Sequence, residues 1–274
     1  MKFLAKWVIV CLLATGYANG QTYEELIGQS YDHLDKGDLP AAEESLKAAM
    51  RLEPANPYNY ALLTNLGTIQ RRQGKTEEAI LSYTTALSRQ PDNELILENR
   101  ASLYAETGEH EKALADYTSL LLLNPDNQDA LYNRGLIHVR KKDFLSAEID
   151  FDKILEVNEK SVHGRLGHAI LEKMRGNYDE SERIYNYLIG ELPREWPLYE
   201  SRADLYFLMG KNGRAMADIN KLFVETPPNA ALYILRGKVK LAQYERESAV
   251  KDFLTAKEMG YDPAIADELI RMAK

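Results

Sequence analysis

The sequence predicts an all-α chain, a solenoid of stacked antiparallel helix pairs, and three observations carry that prediction. Laid on itself at an offset of 34 residues, the chain stays in register from residue 60 to residue 263 without a gap. A period of that length marks an array of like units rather than a single core. Certain columns of the aligned units hold only small residues while another holds bulky ones, and Gly and Pro recur at fixed places between the apolar stretches.

Six units begin at Tyr60, Glu94, Gln128, Val162, Trp196 and Ala230, and an earlier one at Tyr23 joins them after a three-residue insertion around Pro57. The repeats therefore cover 23–56, 60–93, 94–127, 128–161, 162–195, 196–229 and 230–263. Column eight is small throughout: Ser30, Gly67, Ala101, Gly135, Ala169, Ala203 and Gly237. Column twenty is Ala42, Ala79, Ala113, Ala147, Ser181, Ala215 and Ala249, and column twenty-four is Leu46, Tyr83, Tyr117, Phe151, Tyr185, Ile219 and Phe253. Small residues let two helix backbones come close, and the large one fills the space beside them.

The punctuation places the turns. Column fifteen holds Gly37, Gly74, Gly108, Gly176 and Gly210, suited to the left-handed residue that closes a helix, with Lys142 and Tyr244 departing from the pattern. Column thirty-two holds Pro54, Pro91, Pro125, Pro193 and Pro227, which cannot continue a helix, with Glu159 and Tyr261 as exceptions. Each unit reads as two helices of roughly 12 to 14 residues. Residues 264–274 read as a capping helix in which Ile265, Leu269, Ile270 and Met272 face the array. Gly164 and Gly167 weaken the first helix of the fifth repeat, so a hinge is expected between residues 158 and 168.

Seven in-phase copies of this pattern, as in Leu131-Tyr132-Asn133-Arg134-Gly135 and Asn124-Pro125, resemble the tetratricopeptide repeat family over residues 23–263. The family's aromatic at column four is here Leu26, Leu63, Leu97 and Leu131, then Arg165, Tyr199 and Tyr233. The resemblance implies a right-handed superhelix whose first helices line a concave groove through columns two, five, nine, twelve and thirteen. It also implies a scaffold that binds other proteins. Members that grip chaperone tails carry Lys at column five and Asn at column nine of the first unit; this chain has Ile27 and Tyr31, so that activity is expected to be absent.

Composition sets the surroundings. With 45% hydrophobic and 28% charged residues the chain is apolar enough to bury a core. Lys2, Lys6, the apolar run Trp7 to Ala14 and the small residues Ala18-Asn19-Gly20 form an export signal over residues 1–20, with cleavage expected before Gln21. A retained anchor is the alternative, but that run falls short of the ~20 residues that span a bilayer. The product is expected to be periplasmic or secreted, with no transmembrane segment. The only cysteine, Cys11, lies inside the signal, so no disulfide or thiolate chemistry follows, and Val10 before it argues against lipid attachment. Net charge is −8, and −10 once Lys2 and Lys6 are gone, which speaks against nucleic acid as a partner.

Nothing in the spacing of chemical groups points to catalysis, a cofactor or a metal. His163 and His168 stand five residues apart and turn away from each other on a helix. Paired acids such as Glu24 and Glu25, Glu43 and Glu44, or Glu77 and Glu78 read as helix-start or solvent-facing groups. One pairing is informative: column seven is Arg100, Arg134, Arg202 and Arg236, and in those same units column twenty-three is Asp116, Asp150, Asp218 and Asp252. The coincidence suggests structural ion pairs between the two helices; recent duplication of the units explains it equally well.

The groove columns divide the chain by character. The first three units offer a polar wall of Thr64, Thr68, Arg71, Arg72, Glu98, Ser102 and Glu106. Units four to seven offer Tyr132, Leu136, Val139, Leu166, Ile170, Met174, Phe207, Leu208, Ile234 and Leu241. Left open, that half takes an apolar peptide or amphipathic helix of a protein partner; the other reading is that these side chains pack between neighbouring helices. The expected function is a non-catalytic interaction scaffold, with self-assembly through the apolar half as the alternative.

Overall fold

The computed structural model describes residues 21–274, so the signal expected over residues 1–20 lies outside the described residues. They form an all-α, helix-pair solenoid of fifteen helices, with no strand among the described residues. The chain divides into two compact units, residues 1–137 and 138–274. In the first unit α1 (Tyr23–Asp35) packs on α2 (Leu39–Leu52), α3 (Asn59–Arg72) on α4 (Thr76–Arg89) and α5 (Glu94–Glu106) on α6 (His110–Leu123). The division falls within α7 (Gln128–Arg140). In the second unit α8 (Phe144–Val157) packs on α9 (Val162–Arg175), which pairs with α10 (Tyr178–Glu191). There follow the pairs α11 (Trp196–Leu208) with α12 (Asn212–Glu225) and α13 (Ala230–Ala242) with α14 (Arg246–Glu258), closed by α15 (Pro263–Ala273).

Local chemistry starts and stops these helices. Thr22 and Glu25 form a reciprocal capping box at the start of α1, each side chain accepting from the other's backbone N–H. Asp38, Asn93, Asp143, Ser161 and Asn229 each accept from the N–H three residues on. Column fifteen is left-handed in every repeat: the five glycines have positive φ, and so do Lys142 at 61° and Tyr244 at 65°. The turn geometry is thus kept even where a side chain makes it costly.

Inside each hairpin the small residues do what their size suggests. A Cβ on Gly67 would fall 2.7 Å from the buried Tyr83 ring, and one on Gly237 would fall 2.4 Å from the buried Phe253 ring. Where serine takes the small position, its hydroxyl finds a backbone acceptor: Ser30 Oγ donates to the Ala42 carbonyl at 3.1 Å and Ser181 Oγ to that of Ala169 at 2.7 Å. Gly164 and Gly167 belong to the same system. A Cβ there would meet Leu155 at 2.7 Å and Phe151 at 2.4 Å, so these glycines mark a close approach of α9 to α8 rather than a loosened helix.

Directional polar contacts overlie this packing. Arg100 donates through Nε and one terminal nitrogen to both carboxylate oxygens of Asp116, each at 2.8 Å, and Arg202 does the same to Asp218. Arg236 grips Asp252 likewise, at 2.9 and 2.6 Å, and Lys240 adds a second cation at 2.8 Å. The third guanidinium nitrogen reaches back a repeat, from Arg100 to Thr84 Oγ1 at 3.0 Å, from Arg134 to Thr118 Oγ1 at 3.3 Å and from Arg202 to Asn186 Oδ1 at 2.6 Å. Arg134 lies in the first unit and Asp150, itself buried, in the second.

Two sequence expectations need correction. Glu43 is not solvent-facing: it is 6% exposed and receives Lys47 at 2.7 Å, Lys75 at 2.8 Å, Gln73 at 3.0 Å and Gln70 at 3.3 Å. Burial pushes its carboxyl up, but these four donors outweigh burial and hold it at about 2, against an ordinary 4.5. Column twenty-one repeats the device, with Glu148 receiving Arg175 and Glu182 receiving Lys211 and Arg214, each partner coming from the following repeat. In the cap, Ala266, Ile270 and Ala273 face inward, whereas Ile265 and Met272 are exposed. Their stripe lies about 100° around the helix from the packed one.

Removing Asp116 strands a half-buried guanidinium, so Asp116→Ala is expected to cost about 3 kcal/mol in urea unfolding, against less than about 1 kcal/mol for Glu44→Ala at the exposed Arg51 pair. Equal losses would refute a clamp role. The Glu43 carboxyl sits below its unfolded value, so its contribution is fully present above 4.5 and fades as pH falls toward about 2. Thermal melts from about pH 6 to about pH 2 should show a shallower acid loss for Glu43→Gln than for wild type, and parallel curves would remove the claim.

Candidate protein-binding face

The candidate face is built from the first helix of each repeat, where columns two, five, nine, twelve and thirteen fall on one side at helical spacing. In the first unit this side carries polar contacts of its own, with Arg72 and Glu106 exposed. Thr64 and Thr68 are buried, their hydroxyls donating to the carbonyls of Tyr60 at 2.7 Å and of Thr64 at 3.1 Å. Arg71 donates to Ser102 at 2.9 Å and to both oxygens of Glu106, joining α3 to α5. At the end of the unit, Tyr132 and Leu136 on α7 are half-buried.

The second unit separates the apolar candidates. Val139 and Ile234, 3% and 4% exposed, belong to the core and leave the set of surface residues. Ile234 packs with Phe253, Ala256 and Ile270 under the cap. Leu166 and Phe207 are half-buried and lean on the core formed by Tyr185, Tyr199, Leu205 and their neighbours, and Leu241 leans on the core beneath α15. Ile170 is half-buried. Met174 and Leu208, at column thirteen of α9 and α11, are open, 46% and 50% exposed. The candidates thus divide by depth: Val139 and Ile234 are buried, and Met174 and Leu208 stand in solvent.

Three charged residues on the same face went unread in the sequence. Glu200 and Asp204 occupy columns five and nine of α11, and Lys173 occupies column twelve of α9. Lys173 Nζ lies 3.0 Å from Asp204 Oδ2, tying the two first helices together. Glu200 is half-buried; burial first, then the charge of Asp204, pushes its carboxyl above the usual range. The column rule that selected Leu166 and Phe207 also selects these three, but only apolar side chains were kept.

The described residues contain no group of three or more His, Cys, Asp and Glu placed to hold a metal ion. His168 Nε2 lies 3.0 Å from Asp152, and its ring meets Phe151 edge-on, while His163 is exposed. No helix among the described residues is long and apolar enough to cross a membrane.

A family model described as the tetratricopeptide repeat matches residues 27–94, 64–117 and 98–158. A tetratricopeptide repeat protein from Parabacteroides merdae is 68% identical, with 93% of this chain and 99% of that chain covered and a TM-score of 0.87. The structure of the APC/C hetero-tetramer Cut9–Hcn1 is 13% identical, covering 92% of this chain and 53% of that one with a TM-score of 0.68. PilW, a type IV pilus biogenesis factor, is 21% identical, covering 77% and 98% with a TM-score of 0.64. No curated protein matches.

Proposed function

The chain belongs to the tetratricopeptide repeat family, and on that premise we propose that it is a non-catalytic scaffold that holds a peptide or helix of a partner protein on the first-helix face of its second unit. The observation that carries this reading is the pair Met174 and Leu208, each about half exposed on a face whose other apolar members are half-buried around them. Apolar surface of this kind gains by being covered. Cut9–Hcn1, similar in fold, is itself a hetero-tetramer of two proteins. The acidic balance of the chain, with no long basic run, favours a protein partner over nucleic acid.

The place of action follows from the first twenty residues. Two lysines, an apolar run of limited length and Ala18-Asn19-Gly20 support export and release into the cell envelope or the medium. Amino-terminal sequencing of the product from cells is expected to begin at Gln21; a chain still starting at Met1 would count against export.

The face is tested by capture with the exported chain beside a Met174→Asp/Leu208→Asp double variant. Open side chains are chosen so that the core is left alone. The expected result is a partner held by the wild type and lost by the variant, with unchanged thermal melts. Light scattering separates the alternative: a dimer mass for the wild type that falls to a monomer mass in the variant would assign the same face to self-assembly. Retention of every partner by the variant would take the face out of the function.

A further inference from the structure

The charged turn of α11 carries the scaffold reading further, and the inference rests on that reading. Glu200 and Asp204 stand one helical turn apart, on the side of α11 that also presents Phe207 and Leu208. Lys173 reaches across from α9 to Asp204 at 3.0 Å, its side chain mostly buried and so held in place. Among the described residues that cation pairs with one of the two carboxylates, Asp204.

Glu200 is therefore half-withdrawn from water beside a second acid. A carboxylate so placed has given up hydration that the residues around it do not return, and the rise of its carboxyl above the ordinary range expresses that cost. An incoming segment changes the balance according to its charge. An apolar segment alone would complete the withdrawal and raise the cost. An acidic one would add repulsion, whereas a cation seated at Glu200 would offset both.

We propose that the second unit selects an amphipathic segment with a Lys or Arg in the middle of its apolar face, the apolar side chains covering Met174, Phe207 and Leu208 and the cation meeting Glu200. The sign agrees: among the described residues the two carboxylates have one cation bound to them, Lys173 on Asp204. Phosphate-bearing and acidic partners are disfavoured by the same count. Selection here is by repulsion as much as by attraction, since a mismatched partner must bury Glu200 unpaired.

The probes are two fluorescein-labelled synthetic helical peptides of one amphipathic sequence, with Leu spaced at three and four residues and a central Lys in one and Glu in the other. Titrated by fluorescence anisotropy against the exported chain, the Lys peptide is expected to bind about tenfold tighter than the Glu peptide. Glu200→Gln should narrow that preference to about threefold or less without lowering the thermal melt, and the Met174→Asp/Leu208→Asp variant should weaken both peptides together. Equal affinities for the wild type, binding of neither peptide, or a preference untouched by Glu200→Gln would overturn the proposal while leaving the face itself in place. Undiminished binding of both peptides by the Met174→Asp/Leu208→Asp variant would instead bring down the scaffold reading.

Discussion

The distance between the two helices of each repeat governs everything else in this chain. Where Gly67 meets the Tyr83 ring and Gly237 the Phe253 ring, a single added carbon would fall inside the van der Waals contact distance. The pairing of a small residue in one helix with a large one in the other sets that distance. A hairpin of fewer than 35 residues cannot bury its own outer face, so its neighbour must cover it, and the close approach is what gives the neighbour a regular surface to cover. Apolar packing supplies the driving force but little direction. The backbone supplies the direction, through a left-handed residue at the same column of every hairpin, whether that residue is glycine, Lys142 or Tyr244.

The polar contacts take up a separate task, that of joining one repeat to the next in one register. Each buried carboxylate at column twenty-one is met by cations or amides from the turn region of the following repeat, as Glu43 is by Gln73 and Lys75 and Glu182 by Lys211. Arg100 and Arg202 each hold the aspartate of their own second helix and, by the nitrogen left over, the second helix of the repeat before. A guanidinium suits this because its donors are fixed in a plane and face two directions at once. A sliding misfit between repeats would leave these charges buried and unpaired, at a cost of several kcal/mol each by the general rule for stranded ions. Register is thereby enforced more strongly than apolar contact alone would enforce it.

The helix-pair architecture is legible in the sequence because steric demands recur with the period, and a column that is small seven times has few explanations. The Arg–Asp contacts were visible for the same reason, through two columns that change together. What the sequence conceals is depth. Val139 and Met174 occupy adjacent groove columns and are both apolar, yet one is in the core and the other half in solvent. The difference depends on what the neighbouring repeat lays over each column, and a single helical wheel does not contain the neighbour. Glu43 was misread similarly: beside Glu44 it looks like one of a solvated pair, and only the position of Lys75, 32 residues away, shows that its charge is held inside. The acids of α11 were missed for a simpler reason, since a search for apolar lining passes over the carboxylates set within it.

These demands divide the columns into those that stacking uses and those it leaves alone. Replacing the aromatic residue at column twenty-four by Ala would cost about 3 to 5 kcal/mol, a large part of the stability of a domain, so that column has little freedom. Columns five, nine, twelve and thirteen of the first helices carry Thr, Leu, Ile, Glu, Asp, Lys and Met in different repeats without disturbing the pairs beneath them. At the exposed members of those columns, Met174 and Leu208, substitution changes stability by little, about 0.5 kcal/mol or less, whereas Val139 and Ile234 belong to the core. It follows that the two units can share one architecture and still present different chemistry: the first ties α3 to α5 through Arg71, Ser102 and Glu106, and the second exposes Met174 and Leu208.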